Sequence, residues 1–372
     1  MPMMSTDSPR LGMRDATVYW AGFIGEHYFR QAFFGGMRHE VEARLLRRQL
    51  AEAETLEIPR VDPRETPPAV VRRDYLDRNV PVVLSGAAAS WPAVERWTPE
   101  FFKARYGNDV VSVRVRSSGV GADSLYFKEV TMSELVENVL GNGEYYANNL
   151  EDFFNDNPEL REDLLIHEAE AFSSARPHAA GKKRRNRIAR KGEILSTQVF
   201  ISNANGRTGY HCAWAGNFFV QVHGRKRWVF VDPRHTPFMY PVVRKDFVYS
   251  GSSIDHRLDR DAQLAAGHGL YTCVPKYTTV LEPGDVLFSP QWWWHTVDNL
   301  STSIGVAMRF RTSPFAGNPI YSAMTLLSPT LWRHAYQVFK TGWGTDRTGA
   351  KTFFEREGSN ASLPQPHSDR SA

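Results

Sequence analysis

The chain has 372 residues, of which 42% are hydrophobic and 23% charged, so it can bury a sizeable core and is neither a disordered nor a fibrous protein. Two cysteines, Cys212 and Cys273, exclude a disulfide framework and an all-cysteine zinc site, and reduced thiols are expected. The net charge of +4 is local, because residues 182–191 alone carry seven positive charges and the remaining chain is acidic.

The first residues lack the features of a signal peptide, and the early apolar run at 18–36 is interrupted by charged residues. An intracellular, cytoplasmic location with no membrane span is therefore expected. The basic segment 182–191 is either a solvated loop facing the acidic stretch 151–170, the favoured interpretation, or a nucleic-acid patch or nuclear signal.

The N-terminal part is predicted to be helical and then extended. Residues 39–56 are good helix formers with a partial apolar stripe, and the proline-rich stretch 58–68 is predicted to be a linker. A short strand is expected at 80–85, a helix with a Thr-Pro start at 97–107, and a strand at 110–116. Residues 150–194, acidic and then basic, are interpreted as a charged helix and loop insertion outside the core.

After residue 195 the pattern changes to short β runs separated by turn signals, which is typical of a sandwich or barrel. The runs lie at 196–202, 218–222, 227–231, 277–281, 286–289 and 303–310. The polar tail 355–372 is predicted to be disordered. The domain hypothesis is an N-terminal extension and linker (1–68), a β domain (69–320) that includes the insertion, and a C-terminal helix with a tail (321–372).

Two stretches of the β region carry candidate chemistry, Thr208–Trp228 and Leu281–Leu300. Together with residues 81–92, they resemble the JmjC and cupin-8 group of iron(II)/2-oxoglutarate oxygenases, which includes the asparaginyl hydroxylase of hypoxia-inducible factor. The resemblance extends over about residues 81–310. It implies a mainly β fold, the double-stranded β-helix or jelly roll, with iron(II) and 2-oxoglutarate as cofactors.

In that family, iron is held by two histidines and a carboxylate that follows the first histidine by two residues. The resemblance assigns His211 and His295 to the histidine positions. The carboxylate position is Ala213, whose methyl group cannot bind a metal. By analogy with iron/2-oxoglutarate halogenases, which carry a small residue there, Ala213 would leave room for chloride.

The resemblance also assigns a 2-oxoglutarate pocket to Lys226, Thr208, Asn217 and Tyr146. Trp214, Trp292 and Arg309 are candidates for the substrate mouth, although Trp292 and its neighbours are also typical of a core cluster. Three functions remain open: an oxidoreductase acting on an unactivated C–H bond, with halogenation suggested by Ala213; a binding module without catalysis; and a hydroxylase with an incomplete triad. The substrate, whether a free metabolite, a carrier-tethered group or a protein side chain, is not identified by the sequence.

Overall fold

The computed structural model describes residues 9–48, 50–116, 125–174, 192, 194–243, 249–310, 312–313, 315–328 and 332. The basic segment 182–191 and the tail 355–372 lie outside the described residues. Within them, ten α-helices accompany fifteen strands. The helices are α1 (Met13–Phe29), α2 (Ala32–Leu46), α3 (Pro68–Val71), α4 (Pro92–Arg96), α5 (Pro99–Tyr106), α6 (Met132–Leu140), α7 (Glu151–Asp156), α8 (Ile166–Ser173), α9 (Arg260–Ala265) and α10 (Pro319–Leu326).

The strands form two sheets that face each other. They are β1 (Thr55–Glu57), β2 (Arg60–Val61), β3 (Val82–Leu84), β4 (Val110–Arg116), β5 (Leu125–Thr131), β6 (Tyr145–Leu150), β7 (Ile194–Ser202), β8 (Arg207–Ala213), β9 (Gly216–His223), β10 (Lys226–Val231), β11 (Tyr249–Gly251), β12 (Lys276–Leu281), β13 (Val286–Ser289), β14 (Trp294–Asn299) and β15 (Ser303–Phe310). One sheet has the order β1-β12-β10-β14-β8-β11. The other has the order β2-β3-β13-β9-β15-β7-β6-β4-β5. The predicted jelly roll is confirmed.

Alternation along the strands divides the core into three layers. Phe219, Trp228 and Ala307 belong to the apolar cluster between the sheets, which is called the barrel interior below. The opposite face of the nine-stranded sheet packs against α4 to α8, and the opposite face of the six-stranded sheet packs against α1, α2 and α10. Each sheet is therefore covered on both faces, and only every second residue of a regular strand points into the barrel interior.

The expected helix at 39–56 is displaced. Helix α2 begins at Ala32 and ends at Leu46, and the chain is extended by Thr55, where β1 pairs with β12. Leu50, Ala51 and their neighbours are good helix formers, but the edge of the six-stranded sheet offers this segment backbone hydrogen bonds, and tertiary pairing overrides local propensity. The predicted helix at 97–107 is confirmed, with the Thr98 side chain accepting from the Phe101 amide.

The segment after β6 is not peripheral, contrary to the sequence-based expectation for residues 150–194. In its described part, Phe153, Phe154 and Leu160 are buried in the cluster outside the nine-stranded sheet. Two closely spaced phenylalanines are enough to anchor a short helix, although the charges around them dominate the composition. Residues 175–191 lie outside the described part.

The N- and C-terminal helices pack on the same side of the barrel. The Phe23 ring of α1 stacks on Tyr321 of α10 with centroids 5.6 Å apart. Cys212 and Cys273 are both free and buried. No helix in the described ranges combines the length and the apolar character needed to cross a membrane.

Glycine at 305 is required by close packing inside the barrel. A Cβ at Gly305 would lie 2.2 Å from Cζ of Phe219, whereas a Cβ on the exposed Gly36 of α2 meets nothing within 4 Å. We expect Gly305→Ala to lower the free energy of unfolding by about 1–3 kcal/mol through overpacking. Gly36→Ala should raise it by about 0.5–1 kcal/mol because alanine favours a helix.

Urea denaturation of the two variants beside the wild type measures both effects. Equal behaviour of the two alanine variants would contradict the packing of Phe219 against β15.

Candidate active site

The site is built on the pairing of β8 with β14, which places His211 directly opposite His295. The two imidazole centroids are 4.2 Å apart. The histidines are 84 residues apart in sequence, and antiparallel pairing alone makes them neighbours. The structure thus brings together the two residues that the sequence proposed as metal ligands.

A register shift in the same strand pair turns Thr208 toward the barrel interior, the side of β8 on which His211 lies. His295 pairs with His211, but Val297 pairs with Thr208, so β8 carries one extra residue between them. Residues three apart in a regular strand point to opposite faces, and the extra residue reverses this. Thr208 consequently reaches Tyr146, whose hydroxyl lies 3.1 Å from its Oγ1, and the contact joins β8 to β6 across the open edge of the barrel.

Aromatic rings hold both imidazoles in place. Tyr249 stacks on His211 at 5.0 Å, and Trp228 stacks on His295 at 5.5 Å. Phe230 contacts His295 from the same strand as Trp228, at 5.4 Å. Rings packed in this way have little rotational freedom, so the two histidines are presented in fixed orientations.

Each histidine also has a defined tautomer. Nδ1 of His211 lies 2.9 Å from the Gly209 carbonyl oxygen, and Nδ1 of His295 lies 2.9 Å from the Trp293 carbonyl oxygen. A carbonyl only accepts, so each Nδ1 is the donor and each Nε2 keeps a free lone pair, as in metal-binding histidines.

Burial lowers the pKa of His295 to about 4. Burial and the nearby His295 ring together move the pKa of His211 well below its usual range. Both rings are neutral at physiological pH.

Lys226 is a buried lysine on the strand that pairs with the strand of His295. It lies on the barrel-interior face of β10, two and four residues before Trp228 and Phe230, and its ammonium donates to Oδ1 of Asn299. Burial lowers the pKa of Lys226 to about 7. A charge held by a neutral amide in a dry environment is costly, and an anionic ligand would relieve that cost.

The position two residues after His211 offers no metal-binding group. Ala213 is half-buried on the same strand face as His211, while Cys212 points into the core on the other side of the sheet. No group of three His, Cys, Asp or Glu side chains suited to one metal ion occurs among the described residues. The donor set fits two coordination positions of iron, and the remainder would have to come from ligands.

Two guanidinium groups add positive charge around the histidines. Arg309, proposed from sequence as part of the substrate mouth, lies inside the barrel on β15, and Arg114 lies on β4 opposite Tyr146. Both lower the pKa of His211. Burial lowers the pKa of Arg309 to about 10 despite the opposing effect of Glu151, whose own pKa burial raises. The cavity is therefore electropositive.

The two candidate tryptophans differ in environment. Trp214 lies in the turn after β8, half-buried, and its indole nitrogen is buried with no hydrogen-bond partner in the described structure. The proposed place of Trp292 in the substrate mouth does not agree with its burial. Trp292 is 1% exposed, and its indole donates to Ser322 of α10 at 2.8 Å. Its amide donates to the Ala213 carbonyl at 2.8 Å. It supports the end of β8 from the core and does not line a substrate mouth.

Several residues of the cavity were not found from the sequence. Five further residues face the barrel interior near the histidines or contact residues of the site: Asn299, Tyr249, Arg114, Gln198 and Ser196. The alternation of Val and polar residues in β4 and β7 indicates which side chains point away from the apolar face of the sheet. It does not show that this second face closes over the histidines, because that depends on the pairing of β4, β6 and β7.

The buried ammonium gives a prediction for stability. The folded-state pKa of Lys226 is below its unfolded value, so the unfolded chain binds an extra proton between about pH 7 and 10.5, and the stability of the wild type rises with pH in that window. We expect Lys226→Met to remove this rise, which is about 5 kcal/mol at most. The variant should exceed the wild type in stability mainly at and below pH 7.

Urea unfolding at pH 6.5, 8.5 and 10 measures the difference in free energy of unfolding between wild type and Lys226→Met. The titration of Lys276 does not affect this difference, because both proteins contain Lys276. Lys103→Met, at an exposed residue paired with Glu137, is the matched control and should show no such dependence. Parallel pH profiles for wild type and Lys226→Met would show that Lys226 is solvated.

Comparison with known proteins agrees with this architecture. Residues 68–315 match the family model described as a cupin-like domain. The chain is 28% identical over 257 residues to tRNA wybutosine-synthesizing protein 5 of Gallus gallus, covering 63% of this chain and 71% of that protein. It is 23% identical to lysine-specific demethylase 8 of Xenopus tropicalis, covering 63% and 49%, and 24% identical to Jumonji C domain-containing protein 5 of Drosophila melanogaster, covering 61% and 53%.

The match spans about half the length of the last two relatives. The family and the enzyme names among these relatives support an enzyme of the 2-oxoglutarate-dependent oxygenase type. The chain belongs to the JmjC/cupin family of cupin-like domain proteins.

Proposed function

We propose that the protein is an iron(II)- and 2-oxoglutarate-dependent oxidoreductase whose metal is held by His211 and His295 alone among its side chains. The observation that supports this most is the pair of adjacent, half-buried imidazoles with free Nε2 atoms on the barrel-interior face, next to the strand that carries the buried Lys226. Iron(II), when bound there, would supply the redox chemistry that activates O₂ against a C–H bond.

The remaining residues would bind the co-substrate. Lys226 is four residues from Phe230, the strand partner of His295, which is about 13 Å along β10. This spacing leaves room for a small dicarboxylate between the ammonium and the histidines. Lys226 would bind the distal carboxylate, with the Thr208 and Tyr146 hydroxyls closing the side of the pocket. Asn217, half-buried on the facing sheet, would contribute a further polar contact.

The small side chain of Ala213 leaves two reactions open, halogenation and hydroxylation. Its methyl group next to His211 leaves a coordination position to an exogenous anion or water, and Arg309 and Arg114 make that region electropositive. We therefore keep halogenation as a second candidate, with chloride as the anion. Hydroxylation with a water in this position is the alternative, and a binding module without catalysis would follow if two imidazoles are too few to retain iron.

Anaerobic addition of iron(II) and 2-oxoglutarate to the full-length protein tests the metal site. We expect a metal-to-ligand absorption band in the wild type, its loss in His211→Ala and His295→Ala, and tighter iron binding in Ala213→Asp because a third ligand is restored. His39→Ala, at a histidine whose side chain is 71% exposed, is the matched control and should keep the band. A wild type that binds neither iron nor 2-oxoglutarate would leave only the binding module.

The same complex distinguishes the two chemistries. If the position beside Ala213 accepts a halide, chloride or bromide should shift the band, and Ala213→Asp should abolish the shift because its carboxylate occupies the site and repels the anion. Turnover of 2-oxoglutarate to succinate by a halide-insensitive wild type would rule out halogenation and retain hydroxylation.

Calorimetric titration with 2-oxoglutarate tests the role of Lys226. Lys226→Met should weaken binding by on the order of 2–5 kcal/mol, the cost of removing one partner of a desolvated charge pair. In the wild type, affinity should fall as pH rises above about 7, because the neutral amine must first take up a proton. Lys103→Met should behave as the wild type, and unchanged affinity in Lys226→Met would place the co-substrate elsewhere.

A further inference from the structure

The one-residue bulge in β8 is held by side chains as well as by the ladder between β8 and β14. The Thr208 carbonyl oxygen accepts from the Thr296 hydroxyl at 2.7 Å, and the Gly209 carbonyl oxygen accepts from the His211 ring at 2.9 Å. The first of these carbonyls belongs to the residue whose hydroxyl meets Tyr146. Fixing the carbonyl of Thr208 therefore restricts the direction of its hydroxyl.

His256 contacts the same strand pair from the other face of the six-stranded sheet. Its Nδ1 lies 3.2 Å from Oγ1 of Thr296, and its Nε2 lies 2.7 Å from Oδ2 of Asp298. Thr296 and Asp298 flank Val297, a member of the barrel-interior cluster, so both point away from the interior and one ring can reach both. The His256 side chain is only 10% exposed.

The supply of donors and acceptors fixes how these groups bond. A carbonyl only accepts, so the single hydrogen of the Thr296 hydroxyl goes to Thr208, and Thr296 Oγ1 must accept from Nδ1 of His256. Burial acts against ionisation of Asp298, but the hydrogen bond from His256 outweighs it and lowers the pKa of Asp298. This carboxylate also only accepts. His256 therefore makes both bonds only with a proton on each ring nitrogen.

The His256 ring is itself restrained by the loop between β11 and α9. The Tyr210 ring meets it edge-on with centroids 6.0 Å apart. The Gln263 side chain of α9 donates to the Asp255 carbonyl oxygen at 2.6 Å, which holds the backbone next to His256. A side chain restrained in this way loses little further freedom when it bonds Thr296.

We propose that His256 is a positioning residue of the co-substrate pocket, which acts through the Thr296 hydroxyl on the Thr208 carbonyl and so sets the Thr208 hydroxyl against Tyr146. The path crosses the sheet from the face opposite the histidine pair, so His256 acts without touching the co-substrate. The inference rests on the proposed function for the identity of the ligand, 2-oxoglutarate, whereas the hydrogen-bond path does not depend on it.

Two substitutions separate the bond to Thr296 from the other contacts of the ring. In His256→Asn the amide nitrogen takes the place of Nδ1 and keeps a donor for Thr296. In His256→Gln the amide nitrogen takes the place of Nε2 and keeps a donor only for Asp298. Both lose the ring and one of its two hydrogen bonds, so a merely structural role would be affected equally by either change.

Calorimetric titration of the full-length protein with 2-oxoglutarate, anaerobically and with iron(II), measures the consequence. We expect His256→Gln to weaken binding about 2- to 10-fold, the effect of one hydrogen bond, and His256→Asn to stay near the wild-type affinity. The absorption band at saturation should keep its amplitude in both, because His211 and His295 are unchanged. Thr296→Val and Thr296→Ser, which remove and keep the hydroxyl, should differ in the same way.

His268→Gln is the matched control, at a half-buried histidine whose Nε2 lies 2.9 Å from the Ser253 hydroxyl of the same loop, and it should bind 2-oxoglutarate like the wild type. Equal weakening by His256→Asn and His256→Gln, or by His268→Gln and His256→Gln, would overturn the positioning role.

Urea unfolding without ligand tests the path independently of the co-substrate. Tyr146→Phe removes the bond to Thr208, so it should lower the urea midpoint of the wild type and of His256→Asn but leave that of His256→Gln unchanged. Independent sites have additive effects, so an equal shift in all three backgrounds would refute the path. A wild type that does not bind 2-oxoglutarate would refute the proposed function, and the unfolding comparison would then decide whether His256 positions Thr208.

Discussion

The pairing of β8 with β14 is the constraint on which the rest of the site depends. It sets His211 against His295, and its one-residue shift turns Thr208 toward the barrel interior as well. The neighbouring strands then add their contributions at fixed distances: β10 supplies Lys226 and the aromatic rings that pack on His295, and β11 supplies the ring that packs on His211. A sheet holds side chains more precisely than a loop does, and nearly every group discussed here lies on a strand.

Positive charge in the interior is the second organising feature. Lys226 is buried, Arg309 and Arg114 are half-buried, and burial lowers the pKa of the first two. Burying a cation costs stability, and buried cations of this kind are typical of sites that bind anions. The replacement of a metal-binding carboxylate by Ala213 acts in the same direction, because it removes a negative charge from the site. The region around the histidines is consequently electropositive.

The sequence predicts much of this architecture, and the limits of the prediction have physical causes. Strands such as β13 and β15 are apolar enough on both faces to stand out, and all of the later β runs named from sequence are strands. Strands β8 and β14 contain Gly, His and Asp because they carry the chemistry, so hydrophobic patterning alone does not reveal them. The family resemblance located His211 and His295, whereas Tyr249 and Arg114 become neighbours of the site only through strand pairing. Helix α2 was misplaced because sheet-edge pairing of β1 competes with helix propensity.

The aromatic packing around the imidazoles has an optical consequence. Trp228 stacks on His295 with centroids 5.5 Å apart, and Trp228 itself is 3% exposed, so its indole senses this imidazole and not the solvent. The emission of an indole responds to charge placed beside the ring. Ligation or protonation of His295 changes that charge, so the contribution of Trp228 to the emission of the ten tryptophans is expected to change with the state of the histidine.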